Sequence, residues 1–355
     1  MPISIERVRI NDAQKFAKLK TDWEHLQEGL EMTVYQTYDW NWLLYQEWKK
    51  SFLNKISSEV NVYVVQDNSI VVAILPIIVQ RYKTKTKWFG RDKGLYLLGH
   101  GSYSDYLNLV YCDISDMIMD KIIEKICNDY PNLHLIISDV REDVFLCFYL
   151  KRKGIIPIKE SVAVSVKMLE TVSQYDACIS KNTRQNLRTA SNRMRKENIN
   201  YELSVLGEIH ETELLYELRR IHINRMKIKN MKDMDLLHKI SSYIRISTRI
   251  YKEINNNIIY SSMQMMSNSC LVIVKLNSKI IGYLYGLRDR KTIRIMQNCF
   301  IDEYKFYSPL FRGAYDFILQ CYENKEIEEV DFTRGNEDYK YKLAGTEIKL
   351  YEYII

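Results

Sequence analysis

A short stretch near the carboxyl end of the chain, DFTRGNEDYKYKL at 331–343, concentrates ionisable side chains directly after an apolar run. Asp331 ends that run, which we expect to be a buried strand, and a buried acid needs a charged partner. Arg334 stands three residues later and is the partner we expect. Gly335 then allows the chain to turn sharply.

Three further polar residues follow this turn, namely Glu337, Tyr339 and Lys340. Glu337 or Asp331 can accept the proton of an amine, directly or through water, and Tyr339 can donate one to a leaving group. Lys340 and Arg334 are candidates for substrate binding. The alternative is a salt-bridged hairpin that only locks the last strands together.

A histidine lies in the helical run LRRIHINRM, where His222 precedes Arg225 by about one turn. Both are candidates for substrate binding, with His222 also an alternative base, although a lone helical histidine is more often packed or solvent-facing. The six histidines show no metal-ligand spacing, and the seven cysteines include no CxxC pair. We therefore expect no metal site and reduced core thiols.

A basic segment, Lys181 to Lys196, contains six cations and no acid, which accounts for the whole net charge of +6. Lys181, Arg184, Arg188 and Arg195 recur at helical spacing and share one face. This face can bind a phosphate-rich acceptor, such as a nucleotide-linked sugar or a lipid diphosphate, or a tRNA backbone. A solvated helix is the other reading.

The elements that must position these residues occur twice along the chain. VNVYVVQDNSIVVAILPIIV at 60–79 and CLVIVKLNSKIIGYLYGLR at 270–288 are both β-hairpins with an Asn-Ser turn, and each is followed by strand, helix and strand. We interpret this as a duplicated α/β unit, with an N-terminal domain at 1–168 and a C-terminal domain at 169–355. Two unrelated α/β domains would be the alternative.

Helices are predicted for most of 1–58 and 173–256, and for a segment that opens at Ser308-Pro309 with a cap residue before proline. In the first domain, the turn LGHGSYSDY brings Asp105 and Tyr106 towards a crevice between the domains. We expect Glu337, Tyr339 and Lys340 to face the same crevice.

Bulk composition is that of a globular protein with a full core, since 46% of residues are hydrophobic and 27% are charged. The most apolar run, 69–80, is too short to cross a bilayer. The sequence therefore predicts a cytoplasmic protein without a transmembrane segment. Its oligomeric state is not indicated.

The order of these elements resembles the acyl-CoA-binding core of the GNAT superfamily of N-acyltransferases. Seven stretches, in order, are similar to CelD-like acetyltransferases, two-domain proteins of polysaccharide biosynthesis that are related to Fem-type aminoacyltransferases. They are YQTYDWNWLLYQEW, ILPIIVQRY, GSYSDYLNLV, SKNTRQNLRTASNRM, LRRIHINRM, YSPLF and DFTRGNEDYKYKL. The last is the most specific.

The resemblance implies that acyl-CoA is the donor and that the second domain holds it. Its pyrophosphate would lie at the helix start, near Tyr307, Ser308 and Leu310, because a helix N-terminus favours anions. Gln297 and Asn298 would orient the thioester carbonyl. The chain departs from the family in two places: DEYKFYSPLFRG lacks the usual R/Q-x-x-G-x-G/A loop, and Leu310 follows Ser-Pro where the family often has glycine.

We therefore predict an N-acyltransferase that moves an acyl group, which the resemblance implies to be acetyl, from acyl-CoA to an amine on an amino sugar. One alternative is a Fem-like transferase that uses aminoacyl-tRNA and acts on a peptidoglycan precursor. A second is an inactive GNAT scaffold that binds a glycan or a protein. No DNA partner is expected.

Overall fold

The protein consists of two compact units in a computed structural model that describes residues 3–50, 58–83, 91–101, 104–231 and 258–355. The first unit comprises Met1–Val162 and Ile348–Ile355, and the second comprises Ala163–Glu347. We expected a boundary after residue 168 and the whole carboxyl end in the second unit. The last residues instead return to the first unit.

Helices and strands alternate along both units. The helices are α1 (Ala13–Ala17), α2 (Lys20–Gln27), α3 (Tyr38–Lys50), α4 (Asp116–Asp129), α5 (Phe145–Arg152), α6 (Val172–Cys178), α7 (Lys181–Lys196), α8 (Thr212–Met231), α9 (Ile258–Met265), α10 (Pro309–Glu323) and α11 (Asp338–Lys342). The strands are β1 (Ser4–Ile10), β2 (Glu59–Asp67), β3 (Ile70–Lys83), β4 (Arg91–Leu97), β5 (Val110–Tyr111), β6 (Leu135–Arg141), β7 (Lys159–Lys167), β8 (Tyr201–Leu206), β9 (Ser269–Leu276), β10 (Lys279–Asp289), β11 (Thr292–Phe300), β12 (Glu329–Arg334) and β13 (Thr346–Ile354). Short 3-10 turns lie at Val34–Gln36 and Asp302–Tyr307.

The first unit is built on a mixed sheet with the strand order β1-β2-β3-β4-β6-β13. Its neighbours are antiparallel except for β4 and β6, which run parallel and pair only at Leu95 with Leu135 and at Tyr96 with Ile136. Parallel neighbours need a crossover connection, and α4 supplies it.

The second unit repeats this plan with the order β7-β12-β11-β10-β9-β8. Here β11 and β12 are the parallel pair, with Thr292–Arg294 opposite Glu329–Asp331, and α10 is the crossover helix. Each unit therefore contains an antiparallel hairpin, a third strand, a helix and a parallel strand.

The two hairpins share the turn that the sequence predicts. Asn68 and Ser69 have φ of 49° and 68°, and Asn277 and Ser278 have φ of 47° and 64°. Positive φ at both central residues is the geometry of a type I′ turn, which matches the twist of the flanking strands. The two hairpins thus share the backbone conformation of the turn as well as its Asn-Ser sequence.

Each crossover helix packs an apolar face on its own sheet. On α4 the buried face includes Ile118, Ile122 and Ile126. On α10 it includes Phe317 and Ile318, and both helices therefore follow the helical period expected of a sheet-covering helix. These faces belong to two separate core clusters, one in each unit.

Two strands interrupt regions that the sequence predicts to be helical. Residues 4–10 form β1, which pairs antiparallel with β2, and residues 201–206 form β8 at the edge beside β9. Tertiary pairing overrides local propensity in both. The predicted helix over 232–256 lies outside the described residues. Within the described part of the chain, every helix is too short or too polar to span a bilayer.

Candidate active site

A cleft of about 510 Å³ opens in the second unit. It is enclosed by one face of α8, the end of β11, the start of α10 and the segment that leads into α11. The lining residues are His222, Arg225, Met226, Leu284, Asn298, Cys299, Phe300, Lys305, Ser308, Pro309, Leu310, Phe311, Glu337 and Tyr339.

The cleft exists because two parallel strands separate. The pairing of β11 with β12 ends at Arg294 opposite Asp331, although β11 continues to Phe300. Just beyond, Thr333 adopts φ of +54°, a left-handed conformation that is rare for a β-branched residue. Its hydroxyl donates a hydrogen bond to the Ile295 carbonyl at 2.9 Å, which fixes the point of separation.

Buried charges stabilise the fork, which is the point where β11 and β12 separate after Arg294 and Asp331. The Arg294 guanidinium donates to Asp331 Oδ2 at 2.5 Å and also pairs with Asp289. The side chains of Arg294 and Asp331 are only 6% and 3% exposed. The other oxygen of Asp331, Oδ1, accepts a hydrogen bond from the Thr333 amide at 2.7 Å.

Asp331 therefore supports the fork rather than facing the cleft. The partner that the structure gives it is Arg294, 37 residues away along the chain, where we expected Arg334. Arg334 itself is exposed. A breach of the Arg294 pair would leave an uncompensated buried charge, which costs several kcal/mol, about 3–5 in typical proteins.

Lys340 is buried too, and its environment differs from the substrate-binding role expected of it. Its side chain is 2% exposed, and the ammonium donates to the carbonyls of Thr333, Arg334 and Gly335 at 3.1 Å each. The fourth contact is Glu337 Oε2 at 2.9 Å. Lys340 thus stabilises the turn at residues 333–335, and this turn positions the two cleft residues Glu337 and Tyr339.

Those two residues, Glu337 and Tyr339, line the cleft as a carboxylate and a phenol. The Glu337 side chain is 60% exposed. The Tyr339 hydroxyl accepts a hydrogen bond from the Asn298 amide at 3.1 Å, so its own proton is left to donate. Burial, and then the nearby charge of Glu337, raise the pKa of Tyr339, which keeps the phenol protonated at neutral pH.

The start of α10 forms another wall of the cleft. Ser308, the N-cap residue, has φ of 50° and ψ of 50°, and its side chain makes no capping hydrogen bond to the first turn. Pro309 has no N–H, so the amides of Leu310 and Phe311 are the first unpaired donors of the helix. The matching helix of the first unit, α4, is capped by Ser115, whose hydroxyl accepts from the Ile118 amide at 3.4 Å.

The remaining predicted residues divide between the cleft and other places. Arg225 lines the cleft, pairs with Asp302 and lies 4.1 Å over the Phe300 ring; His222 lines it one turn earlier. Gln297 is buried and accepts a hydrogen bond from the Tyr283 hydroxyl at 2.6 Å.

Three other predicted residues, Tyr307, Arg184 and Arg188, are absent from the lining of this cleft. The Tyr307 hydroxyl bonds to Glu197, and the Arg184 guanidinium donates to the carbonyls of Asp176 and Ile179. Arg188 is exposed on α7.

Two further predicted residues, Asp105 and Tyr106, lie in the first unit and are both buried. Tyr106 has φ of 57°, and its carbonyl accepts a hydrogen bond from Gln36 at 2.7 Å. The Arg141 guanidinium lies 5.3 Å from the Tyr106 ring. No group of histidines, cysteines and carboxylates in the described residues is placed to hold a metal ion.

Sequence reasoning missed several lining residues, above all Lys305. Lys305 lies three residues before Ser308, where the pyrophosphate contact was expected, and a cation at this position could have indicated a phosphate-binding residue. Met226, Cys299 and Phe311 carry no chemical motif, so only their place in the fold identifies them. Burial raises the pKa of Cys299 to about 12, so this thiol is not a nucleophile at neutral pH.

Comparison with known proteins agrees with this geometry. The acetyltransferase (GNAT) domain model matches residues 264–341. No curated protein sequence matches the chain.

Similar folds occur among solved structures. A crystal structure of FemX aligns with a TM-score of 0.58 at 10% identity and covers 98% of this chain and 96% of its own. The C-terminal domain of a putative lysylphosphatidylglycerol synthetase from Agrobacterium fabrum gives 0.54 at 10% identity, with coverage of 96% and 92%. L-PGS from Bacillus licheniformis gives 0.51 at 10% identity, with coverage of 91% and 93%. At such identities the likeness concerns the fold alone.

The matched residues 264–341 include β11, the start of α10 and the turn that carries Glu337 and Tyr339. The protein thus has a mixed α/β fold of two GNAT-like units, and its second unit contains an acetyltransferase (GNAT) domain.

Proposed function

We propose that the second unit transfers an acyl group from acyl-CoA to an amine. The observation that carries this proposal is the start of α10, which lines the cleft and whose N-cap residue, Ser308, makes no side-chain capping hydrogen bond. The equivalent helix of the first unit is closed by Ser115. Free amides at a helix N-terminus favour an anion such as a diphosphate, so the second unit is the one suited to hold the donor.

Lys305 and the amides of Leu310 and Phe311 would contact the diphosphate in this proposal. Lys305 belongs to the 3-10 turn that precedes α10 and lines the same cleft. A cation beside unpaired amides supplies the two features that bind phosphates. Asn298, at the end of β11, would orient the thioester carbonyl.

The transfer itself needs one base and one acid. The nitrogen of the acceptor attacks the thioester carbon, the bond from that carbon to sulfur breaks, and Glu337 takes the proton that the nitrogen loses. Tyr339 donates its proton to the departing sulfur, which its protonated state at neutral pH supports. His222, on the opposite wall, is the alternative base. Direct attack requires no covalent enzyme intermediate, in agreement with the neutral thiol of Cys299.

The acceptor that we propose is an amino sugar in cell-surface polysaccharide biosynthesis, acylated in the cytoplasm. The proposal rests on the resemblance to CelD-like acetyltransferases. Arg225 and Arg334 are the candidates for acceptor binding in the second unit. Arg184 and Lys340 are bonded to backbone carbonyls, so we assign them a supporting role.

A Fem-like transfer from aminoacyl-tRNA is the second candidate. It is favoured by the segment Asp302–Tyr307, which forms a 3-10 turn without glycine where the family has its glycine-rich pyrophosphate loop. The same difference also fits an inactive scaffold that binds a glycan or a protein.

Thermal unfolding in the presence of acetyl-CoA, free CoA or aminoacyl-tRNA separates these three candidates. A ligand that binds the native state at a hundred times its Kd stabilises it by about 2.7 kcal/mol, an easily measured rise in Tm. A rise with the CoA compounds alone supports the proposal. A rise with aminoacyl-tRNA alone replaces it with the Fem-like function, and no rise at all favours the scaffold.

Release of free CoA in the presence of an amino sugar then tests the residues. Glu337→Gln should lower kcat by about a hundredfold or more, as loss of a general base does, and Tyr339→Phe should lower it by a similar factor. Asp338→Asn is the matched control because it removes an exposed carboxylate next to Glu337. If Glu337→Gln and the control turn over equally fast, Glu337 is not the base.

A further inference from the structure

Helix α7 carries an exposed stripe of cations. Lys181, Arg188 and Arg195 are separated by seven residues each and are all exposed, with Gln185 and Asn192 between them. Lys196 extends the stripe at its carboxyl end. None of these four cations has an acidic partner among the described residues.

This charge arrangement opposes helix stability. A solvent-exposed helix usually carries acidic and basic residues four positions apart, and each such ion pair stabilises the helix by a few tenths of a kcal/mol. α7 contains no acid, and Lys181 lies in its first turn, where the helix dipole favours negative charge. Local interactions do not explain the stripe, so we look for an external anionic surface.

Helix α7 packs beside the 3-10 turn that borders the cleft described above. Arg193, on the same helix, donates to the Phe306 carbonyl at 3.1 Å and lies 4.1 Å from the Phe306 ring. The Tyr307 hydroxyl bonds to Glu197, just past the helix end. These contacts fix the 3-10 turn Asp302–Tyr307 against α7, and this turn supplies Lys305 to the cleft.

The same turn carries two aromatic side chains beside cations, exposed Phe306 and half-buried Tyr304. Phe306 is 53% exposed although it is a large apolar residue. Tyr304 lies under Lys279, whose ammonium is 5.1 Å from the ring and 3.1 Å from its hydroxyl. Aromatic rings flanked by Lys and Arg are the composition of protein segments that lie in the headgroup region of a bilayer.

We propose that the α7 stripe and Phe306 dock the second unit on an anionic membrane surface. The cations contact lipid phosphates, and Phe306 enters the headgroup layer. Buried apolar area and electrostatic attraction to anionic lipids both add to the strength of attachment to a membrane surface. The mouth of the cleft then lies at the surface, where an acceptor carried on a lipid is available.

A bilayer fits these features better than RNA does. One face of the Phe306 ring is already covered by Arg193, which leaves its edge to enter a lipid layer but impairs stacking between bases. The stripe is also a straight line about 21 Å long, as expected for fourteen residues of α-helix, and suits a flat charged surface.

Co-sedimentation with vesicles tests this inference without reference to catalysis. The chain should bind vesicles of 30% phosphatidylglycerol in phosphatidylcholine at least tenfold more tightly than vesicles of phosphatidylcholine alone. Binding should vanish in about 0.5 M salt, because screening at that ionic strength acts within a few ångströms. Lys181→Gln/Arg188→Gln/Arg195→Gln should lose most binding to the anionic vesicles, and Phe306→Ser should weaken it several-fold.

The matched control is Lys167→Gln/Arg290→Gln/Lys325→Gln, which removes three exposed cations of the same unit away from α7. If it loses as much binding as the stripe variant, attachment depends on net charge only and the docking surface is refuted. Unfolding should show the stripe variant to be as stable as the parent or more so, since it removes like-charge repulsion.

Binding to a tRNA mixture at a salt concentration that abolishes vesicle binding would replace the membrane with RNA as the partner. Acyl transfer to a soluble amine tests the proposed function separately, whatever the vesicles show.

Discussion

Replacing Lys340 by methionine tests the assignment of this residue as the support of the active-site turn. The change keeps the length and burial of the side chain and removes its ammonium. Three carbonyls, those of Thr333, Arg334 and Gly335, then lose a donor at 3.1 Å in a site that is only 2% exposed at Lys340. Each such bond contributes about 1 kcal/mol net or slightly more, so the loss is about 3–4 kcal/mol.

The ion pair with Glu337 adds little to this sum, because the Glu337 side chain is 60% exposed and well screened. For a unit of this size, 1 kcal/mol corresponds to about 2–4 °C in Tm, which predicts a fall of about 6–15 °C for the second unit. Urea unfolding followed by the fluorescence of a probe in that unit measures the free energy directly.

Lys342→Met is the control for this prediction. Lys342 is exposed on the same short helix, α11, so its loss should change the stability by less than about 0.5 kcal/mol. A Lys340→Met protein within 1 kcal/mol of the parent would refute the argument, since the three carbonyls would then have found other donors. A further consequence is kinetic: the variant should lose acyl transfer even where it remains folded, because the turn presents Glu337 and Tyr339.

Three other predictions concern the walls of the cleft. Thr333→Val should destabilise the second unit by about 1–2 kcal/mol, since it keeps the left-handed backbone and loses the bond to Ile295; Thr333→Gly should cost less because glycine relieves the strain, and equal losses in urea unfolding would contradict this. Ser308→Asp should place a carboxylate at the start of α10 and raise the KM for acyl-CoA about tenfold, whereas Ser115→Asp in the first unit should leave it unchanged; steady-state kinetics decide. Cys299 should resist alkylation by iodoacetamide below about pH 10, because its pKa is raised to about 12 and only the thiolate reacts; mass spectrometry that finds it labelled at pH 8 would contradict this.

Local signals in the sequence were sufficient to identify the repeated architecture. Asn tolerates the positive φ that a two-residue hairpin turn requires, and both hairpins form as predicted. Proline after Ser308 marked the start of α10 at Pro309, also as predicted. These features depend on residues that are adjacent in the chain.

Long-range pairing could not be read in the same way. Arg294 and Asp331 lie 37 residues apart, and sequence distance favoured the nearer Arg334. The chemical role of Lys340 was equally hidden, since a lysine in a polar motif gives no sign that it is buried. The strand β8 was missed because its pairing with β9 decides its conformation.

The last strand has a consequence for the order of synthesis and folding. Leu135 exchanges two backbone hydrogen bonds with Ile355, both 2.9 Å long, and Tyr353 is wholly buried in the first core. When residues 1–162 have emerged from the ribosome, the sheet of the first unit therefore still lacks β13. Until residues 348–355 emerge, β6 offers unpaired backbone groups to any passing strand, so the nascent N-terminal unit depends on protection from aggregation during the time needed to translate the whole second unit.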